Sequence, residues 1–166
     1  MKRTYSRTRR EFLRETALIT AGMASTGRAD LVRSDPDKKL NLAFVGPGGR
    51  GFDNLTALAS ENIVAFADVD DERARPAFEA YPKANRYRDF RVMLDKEKSL
   101  DAVIVSTPDH THAIAAIAAM QRGLHVYCEK PLAHSIYEVR RMKEEAAKAG
   151  VVTQMGTQGH AMEGSR

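Results

Sequence analysis

The fold is decided by one stretch of sequence, Leu40-Asn41-Leu42-Ala43-Phe44-Val45-Gly46-Pro47-Gly48-Gly49-Arg50-Gly51. Its first six residues form a short apolar run that ends at a glycine, which is typical of a buried parallel strand. The glycines that follow have the spacing G-x-G-x-x-G, and a helix is predicted from there through Ala59. A strand, a glycine-rich turn and a helix in this order predict the beginning of a strand–helix–strand unit.

The same alternation of strands and helices continues along the chain. Further strands are predicted at residues 63–67, 85–87, 102–105, 124–128 and 151–155, and helices at 72–80, 90–94, 111–122 and 135–150. The last helix begins with a capping-box pattern, in which Ser135 is followed three residues later by Glu138. Parallel strands require crossover connections, which these helices supply. We therefore predict an α/β fold of the Rossmann type, a doubly wound parallel sheet with helices on both faces.

Each glycine of the loop has a predicted task in binding a dinucleotide. Gly46 would allow the tight turn, Gly48 would let the backbone approach a pyrophosphate, and Gly51 would let the helix pack closely on the strand. Gly49 and Arg50 lie between these positions and are predicted to belong to the same cofactor-binding loop. The N–H groups at the start of the helix carry a partial positive charge, which favours phosphate binding.

Asp68 follows the second predicted strand and lies 22 residues after Gly46. A carboxylate at this position accepts hydrogen bonds from the ribose hydroxyls and repels a 2′-phosphate, so we predict NAD rather than NADP. Arg50 and Arg73 would soften this preference, which leaves NADP as an alternative. A glycine-rich turn followed by an ordinary helix-capping aspartate is the plain structural alternative.

Two further loops reach the edge of the sheet where ligands bind in this type of fold, the carboxyl ends of the strands. They are Thr107-Pro108-Asp109-His110-Thr111-His112 and Glu129-Lys130-Pro131. His110 and His112 alone do not make a metal site, because no third ligand occurs at a suitable spacing, so no metal is predicted. Cys128, the only cysteine, is predicted to be a small buried strand residue, and an intramolecular disulfide is excluded.

Together, the glycine loop, the pattern Thr107-Pro108-x-x-x-His112 and Glu129-Lys130-Pro131 resemble the Gfo/Idh/MocA oxidoreductases, the family of glucose–fructose oxidoreductase and inositol dehydrogenase. The segment 154–160 is similar to the one that leads into the second domain of that family. The resemblance covers residues 40–166. It implies transfer of a hydride between a carbon of a sugar or polyol and bound NAD.

The resemblance also implies roles for the residues of the two loops. Lys130 would lie beside the nicotinamide and the substrate, as a cofactor-binding residue and as the catalytic residue, since its ammonium would hydrogen-bond the reacting hydroxyl and help the proton to leave. Glu129 would contact the nicotinamide ribose, or else be an ordinary polar loop residue. Thr107 and Pro108 would line the dinucleotide groove. His112 would lie beside the cofactor, with helix capping or packing as the alternative.

Two other functions remain open at this point. One is an NAD-dependent glycosidase of the same family, in which transient oxidation acidifies a neighbouring C–H group and permits elimination. The other is a dinucleotide-binding remnant without catalysis. Because the family carries a second, α+β domain that shapes the sugar site, this chain of 166 residues is expected to be truncated, and to bind cofactor rather than turn over substrate on its own. A full-length form would be able to form a homo-oligomer.

Positive charge is concentrated at the N-terminus. Residues 1–29 hold seven Lys or Arg and two Glu, whereas residues 30–166 hold 19 basic and 20 acidic residues. The nearly neutral remainder gives no support to a nucleic-acid-binding surface. No apolar run is long enough for a membrane span, so stable membrane insertion is not expected.

The run Arg9-Arg10-Glu11-Phe12-Leu13, followed by the apolar stretch 16–26, resembles the twin-arginine export signal of bacteria. We therefore expect the twin-arginine export machinery as a partner and a periplasmic or otherwise exported location. A disordered basic tail or an amphipathic helix is the alternative, and an inactive signal would leave the protein in the cytoplasm. The predicted organisation is an export signal at 1–29, a linker at 30–39, a dinucleotide-binding domain at 40–155, and the beginning of a connection at 156–166.

Overall fold

The strands form one parallel sheet in the computed structural model, which describes residues 38–160. They are β1 (Asn41–Val45), β2 (Asn62–Ala67), β3 (Asn85–Tyr87), β4 (Ala102–Val105), β5 (His125–Glu129) and β6 (Thr153–Gly156). Their order in the sheet is β3-β2-β1-β4-β5-β6, and every neighbouring pair is parallel. The direction of winding reverses between β1 and β4, which creates a topological switch point at the centre of the sheet.

Within the same residues, five α-helices connect the strands. They are α1 (Arg50–Ala57), α2 (Asp71–Ala80), α3 (Phe90–Lys96), α4 (His112–Met120) and α5 (Ile136–Ala149). The predicted capping box at the start of α5 is present, because Ser135 accepts a hydrogen bond from the Glu138 N–H and the Glu138 carboxylate accepts one from the Ser135 N–H. These two hydrogen bonds give partners to backbone N–H groups at the helix end that would otherwise have none, and so they stabilise the start of α5.

The alternation of side chains along the strands divides the core into two layers. Leu42 and Phe44 of β1 belong to the layer that contains the buried side chains of α1 and α2. Ala43 and Val45 belong to the opposite layer, which contains those of α3, α4 and α5. Because both faces of the sheet are covered, β1 and β4 are apolar at almost every position.

The predicted doubly wound α/β fold is confirmed, and the element boundaries differ from prediction by one or two residues in most cases. The largest local difference is at the predicted helix 111–122, where a short 3₁₀ turn (Asp109–Thr111) precedes α4. Thr111 explains this turn, since both its N–H and its hydroxyl donate to the carbonyl of Pro108, at 2.9 and 2.8 Å. The last strand also begins later than predicted, at Thr153 rather than at residue 151.

The predicted export signal and almost all of the predicted linker lie outside the described residues, as does the end of the predicted connection at 161–166. Among the helices of residues 38–160, none combines the length and the apolar character that crossing a membrane requires.

Candidate functional site

The carboxyl ends of β1, β2, β4 and β5 meet at one edge of the sheet, because the strands are parallel and adjacent. A cleft of about 590 Å³ opens at this edge. Six of the predicted cofactor-binding residues line it: Gly46, Gly48, Arg50, Asp68, Thr107 and Pro108. The cleft therefore lies at the switch point between β1 and β4, the place where ligands bind in open α/β sheets.

The glycine loop makes a tight turn between β1 and α1. Gly46 adopts a φ of +79°, a conformation that residues with a Cβ rarely adopt, and its N–H donates to the Ala67 carbonyl at 2.9 Å. A Cβ on Gly51 would overlap the carbonyl oxygen of Gly46, so α1 can approach β1 this closely only with glycine at that position. Both positions have the backbone geometry that the sequence predicted for the turn and for the helix–strand contact.

The N-terminus of α1 has no capping side chain. The residue before it is Gly49, which has no side chain to offer, whereas α2 is preceded by Asp70, whose carboxylate accepts from the N–H groups of Glu72 and Arg73. Two N–H groups at this start, those of Gly49 and Arg50, have no partner among the described residues, and unsatisfied N–H groups at a helix start attract an anion. The start of α1 therefore presents the arrangement that suits a pyrophosphate.

Two arginines lie at the cleft beside the loop. A Cβ on Gly48 would lie 2.6 Å from the carbonyl oxygen of Arg73, and one on Gly49 would lie 3.2 Å from its guanidinium. The missing side chain of Gly48 thus makes room for α2, and the Arg73 guanidinium lies over the loop. Arg50 is half-exposed and pairs with Asp53 at 3.0 Å.

Asp68 lies at the end of β2 and lines the cleft. Its Oδ1 accepts a hydrogen bond from the Asp70 N–H at 3.0 Å, which fixes the orientation of the carboxylate. The residue that caps α2 is Asp70 and not Asp68, so the alternative that made Asp68 a helix cap is wrong. Its second oxygen has no hydrogen-bond partner among the described residues, and it is available to a ribose hydroxyl.

Thr107 carries the one buried side-chain polar atom that lacks a hydrogen-bond partner within residues 38–160, its Oγ1. Buried hydroxyls are nearly always paired, so an orphan in the wall of a cleft indicates a ligand contact. A dinucleotide fits the residues present: an uncapped helix start after β1 for the phosphates, a free carboxylate oxygen after β2 for the ribose, and an unpaired hydroxyl on the other side of the loop, after β4.

Glu129 is buried at the end of β5, where its carboxylate joins four donors. Oε1 accepts from Asn54 Nδ2 at 2.9 Å, from the Tyr127 hydroxyl at 3.4 Å and from Gln158 Nε2, while Oε2 accepts from the Lys130 N–H at 3.3 Å. This network ties α1, β5 and the segment after β6 together. Burial and then the Glu129 charge raise the pKa of the Tyr127 phenol.

Sequence reasoning missed three members of this network, Asn54, Tyr127 and Gln158. The available signal was Asn54, which precedes the buried Leu55 on the inner face of α1. A buried amide requires polar partners, so Asn54 indicated that a polar network lies nearby. Gly156 belongs to the same arrangement, since a Cβ there would lie 2.9 Å from Glu129 Oε1. The predicted contact of Glu129 with the nicotinamide ribose stays a prediction.

His112 is the first residue of α4, and its ring is almost completely buried. Nδ1 lies 2.8 Å from the Pro131 carbonyl oxygen, and Nε2 lies 2.7 Å from the Thr107 carbonyl oxygen. His112 and Glu129 lie outside the lining of the cleft, as does Lys130, which is exposed directly after β5 and precedes a cis peptide bond. The predicted roles of these three residues toward the cofactor stay predictions.

Cys128 is buried in β5, and its thiol lies 3.7 Å from the Leu132 carbonyl oxygen. Burial, together with the nearby Glu129 charge, raises the pKa of this thiol to about 12. A protonated buried thiol is a poor nucleophile and a poor metal ligand. No group of three or more metal-ligating side chains occurs within residues 38–160.

The cleft and the strand order define a dinucleotide-binding Rossmann domain. The chain belongs to the Gfo/Idh/MocA family: residues 40–157 match the family model described as "Oxidoreductase family, NAD-binding Rossmann fold". NAD is the cofactor of this domain, in agreement with the prediction made from Asp68.

Curated relatives include sugar and polyol dehydrogenases. The inositol 2-dehydrogenase of Salmonella typhimurium is 33% identical over 116 residues, which are 67% of this chain and 34% of that protein. The D-apiose dehydrogenase of Paraburkholderia graminis is 33% identical over 117 residues, 69% of this chain and 31% of that protein. The chain thus spans about a third of the length of these relatives.

Solved structures of dehydrogenases are also similar to this chain. The myo-inositol 2-dehydrogenase of Lactobacillus plantarum superposes with a TM-score of 0.70 at 27% identity, over 76% of this chain and 38% of that one. The WlbA dehydrogenase of Bordetella pertussis, in complex with NADH and UDP-GlcNAcA, superposes with a TM-score of 0.71 at 26% identity, over 77% of this chain and 40% of that one.

Proposed function

We propose that this chain holds NAD for an oxidoreductase that acts on a sugar or polyol. The observation that carries the proposal is the cleft at the β1–β4 switch point, with Asp68 and the uncapped start of α1 in its wall. The dehydrogenase names of the relatives support the substrate class. The particular sugar or polyol depends on groups beyond the described residues.

Each part of the cofactor has a place in the cleft. The pyrophosphate would bind at Gly48–Gly51, where the N–H groups of α1 begin, and Arg73 would add a positive charge from above the loop. Asp68 would accept hydrogen bonds from the adenosine ribose hydroxyls. Thr107 and Pro108 would line the path toward the nicotinamide, where the unpaired Thr107 hydroxyl finds a partner.

Lys130 would serve the chemical step. Bound NAD supplies the hydride acceptor, and the protein must assist the departure of the hydroxyl proton from the substrate carbon that is oxidised. Lys130 is exposed at the end of β5, beside the strand whose following loop lines the cleft. Its ammonium would donate a hydrogen bond to the reacting oxygen and stabilise the negative charge that develops there as the hydride leaves for NAD and the hydroxyl proton passes to solvent water.

The test is the rate of NAD reduction with myo-inositol and related polyols, measured at 340 nm on the protein encoded by the complete natural reading frame. Lys130→Ala should lower kcat by about 10²–10⁴-fold, the usual contribution of a positioned acid or base. Lys143→Ala, which removes an exposed ammonium from α5, is the matched control. A Lys130→Ala enzyme with the wild-type kcat would refute the catalytic role.

We also propose that the twin-arginine pattern at residues 9–13 directs export. Paired arginines followed by Phe12-Leu13 and an apolar stretch support this proposal. Residues 1–39 fused to a reporter should carry it out of the bacterial cytoplasm, and Arg9→Lys with Arg10→Lys should block transport. Export of the doubly substituted fusion at the wild-type level would contradict the proposal.

A further inference from the structure

His112 lies between the two loops that follow β4 and β5. One ring nitrogen faces the carbonyl of Thr107, and the other faces the carbonyl of Pro131, at 2.7 and 2.8 Å. Neither partner is an N–H group of α4, so the ring does not cap the helix that it begins. A role in packing alone also fails to explain the geometry, since an apolar ring of the same size would fill the space without the two contacts.

Both partners are main-chain carbonyl oxygens, and they belong to different loops. A ring N–H that donates to either carbonyl fixes that loop to the start of α4. The tautomer decides which nitrogen donates, but both loops lie within hydrogen-bonding distance of the same buried ring.

The residues that His112 joins are those on which the proposed chemistry depends. The Thr107 carbonyl belongs to the residue whose unpaired hydroxyl lies in the cleft wall. The Pro131 carbonyl belongs to the residue directly after Lys130. A single buried ring thus connects the wall of the cofactor cleft to the loop that carries the lysine.

We infer that His112 is a positioning residue, whose buried ring holds the Thr107 loop and the Lys130 loop in one fixed arrangement. Its importance for turnover rests on the function proposed for Lys130, but the link between the loops does not. Without the link, Lys130 loses its fixed place relative to the cleft. Displacing a reacting group by about 1 Å costs up to about a hundredfold in rate.

Two conservative variants separate the two contacts. The amide nitrogen of Asn occupies the place of Nδ1, and that of Gln occupies the place of Nε2. His112→Asn should therefore keep the Pro131 contact and lose the Thr107 contact, and His112→Gln should do the reverse. Backbone amide hydrogen exchange, followed residue by residue in the full chain, reports each loop separately.

The expected result is complementary: exchange becomes faster at residues 107–111 in His112→Asn and at residues 129–133 in His112→Gln. His134→Gln, at an exposed histidine of the same region, is the control and should change neither loop. In the wild-type spectrum, His112 should show a slowly exchanging ring N–H signal, while His134 shows none. Equal exchange of both loops in the two variants, or the absence of a slowly exchanging ring N–H signal for His112, would overturn the inference.

Turnover distinguishes this inference from the proposed function. If Lys130 is catalytic, His112→Gln should lower kcat in the complete natural protein by about ten- to a hundredfold, with the dissociation constant of NADH nearly unchanged. Complementary exchange in the two variants, combined with a Lys130→Ala enzyme of normal kcat, would support the link between the loops and refute the role of the lysine. An unchanged exchange pattern in both variants would refute the link itself.

Discussion

The two sides of the switch point use their polar groups in opposite ways. On the open side, formed by the glycine loop 46–51, Asp68 and the side chain of Thr107, one oxygen of Asp68 and the Thr107 hydroxyl have no partner within residues 38–160, and a cleft opens there. On the closed side, formed by His112, Cys128 and Glu129, polar atoms are buried and bind one another or the main chain.

The difference teaches how one sheet edge performs two tasks. A group that must bind a ligand needs hydrogen-bonding capacity left over, whereas a group that must hold a loop uses its capacity within the protein. Lys130, which follows Glu129, is exposed. In the proposed function, the open side determines cofactor affinity, and the closed side determines where the lysine lies.

Gly51→Ala should have the largest effect, because its Cβ would overlap the Gly46 carbonyl oxygen where α1 meets β1. Backbone cannot give way as a flexible side chain does, so we expect a loss of about 3 kcal/mol or more in the free energy of unfolding. Urea denaturation measures it. Gly159→Ala, where nothing lies within 4 Å of the added Cβ, should be nearly neutral. Equal stability of the two variants would contradict the described loop.

Cys128 tests whether the closed side excludes solvent. Because burial raises the pKa of its thiol from 9.0 to about 12, the thiolate fraction at pH 8 should fall about a thousandfold. Iodoacetamide should label the unfolded chain quickly and the native chain hardly at all, as mass spectrometry would show. Rapid labelling of the native chain would mean that solvent reaches the Cys128 thiol.

The same raised pKa predicts an alkaline loss of stability. The unfolded thiol ionises above pH 9 while the folded thiol stays protonated, so the folded state binds the extra proton and the free energy of unfolding falls between pH 9 and about 12. Cys128→Ala should lack this part of the decline. Identical pH profiles for the two proteins would count against burial of the thiol.

Asp68→Ala tests the open side directly. The loss of a charged acceptor for the ribose hydroxyls should weaken NADH binding by about 1.5–3 kcal/mol, roughly ten- to a hundredfold. The preference for NADH over NADPH should narrow as well, because the repulsion of the 2′-phosphate disappears. Calorimetry gives both affinities, and Asp95→Ala on α3 is the control for a lost surface carboxylate. Unchanged NADH affinity would refute the ribose assignment.

Lys130→Ala should have the smallest effect on cofactor affinity. Its ammonium is exposed and lies outside the cleft lining, and exposed charges contribute at most about 1 kcal/mol, so NADH affinity should change by no more than about fivefold. The same calorimetric titration measures this. A loss as large as that of Asp68→Ala would place the lysine among the cofactor-binding groups and remove the distinction between the two sides.

The open side could be predicted from sequence almost completely. The glycine spacing after an apolar run determines a turn between β1 and α1, and a carboxylate at the end of the next strand follows from the same local order. Such features depend on a few neighbouring residues and on parallel pairing, which the alternation of strands and helices already predicts.

The closed side could not be predicted in the same way, because its contacts join distant parts of the chain. Asn54 and Glu129 are 75 residues apart, and Gln158 reaches Glu129 from beyond β6. The family pattern Thr107-Pro108-x-x-x-His112 suggests that His112 lies near the cofactor. The partners of its two ring nitrogens, however, depend on how the loops after β4 and β5 are placed in the fold. These partners became visible only in the folded structure.

The most direct measurement is a titration of the isotopically labelled chain with NADH, followed by the backbone amide shifts of each residue. Binding at the switch point predicts saturable shifts at the glycine loop 46–51, at Asp68 and at Ser106–Thr107, with little change at the opposite edge of the sheet, such as Asn41 and Asn62. Absence of saturable shifts, or shifts concentrated at that opposite edge, would contradict the account.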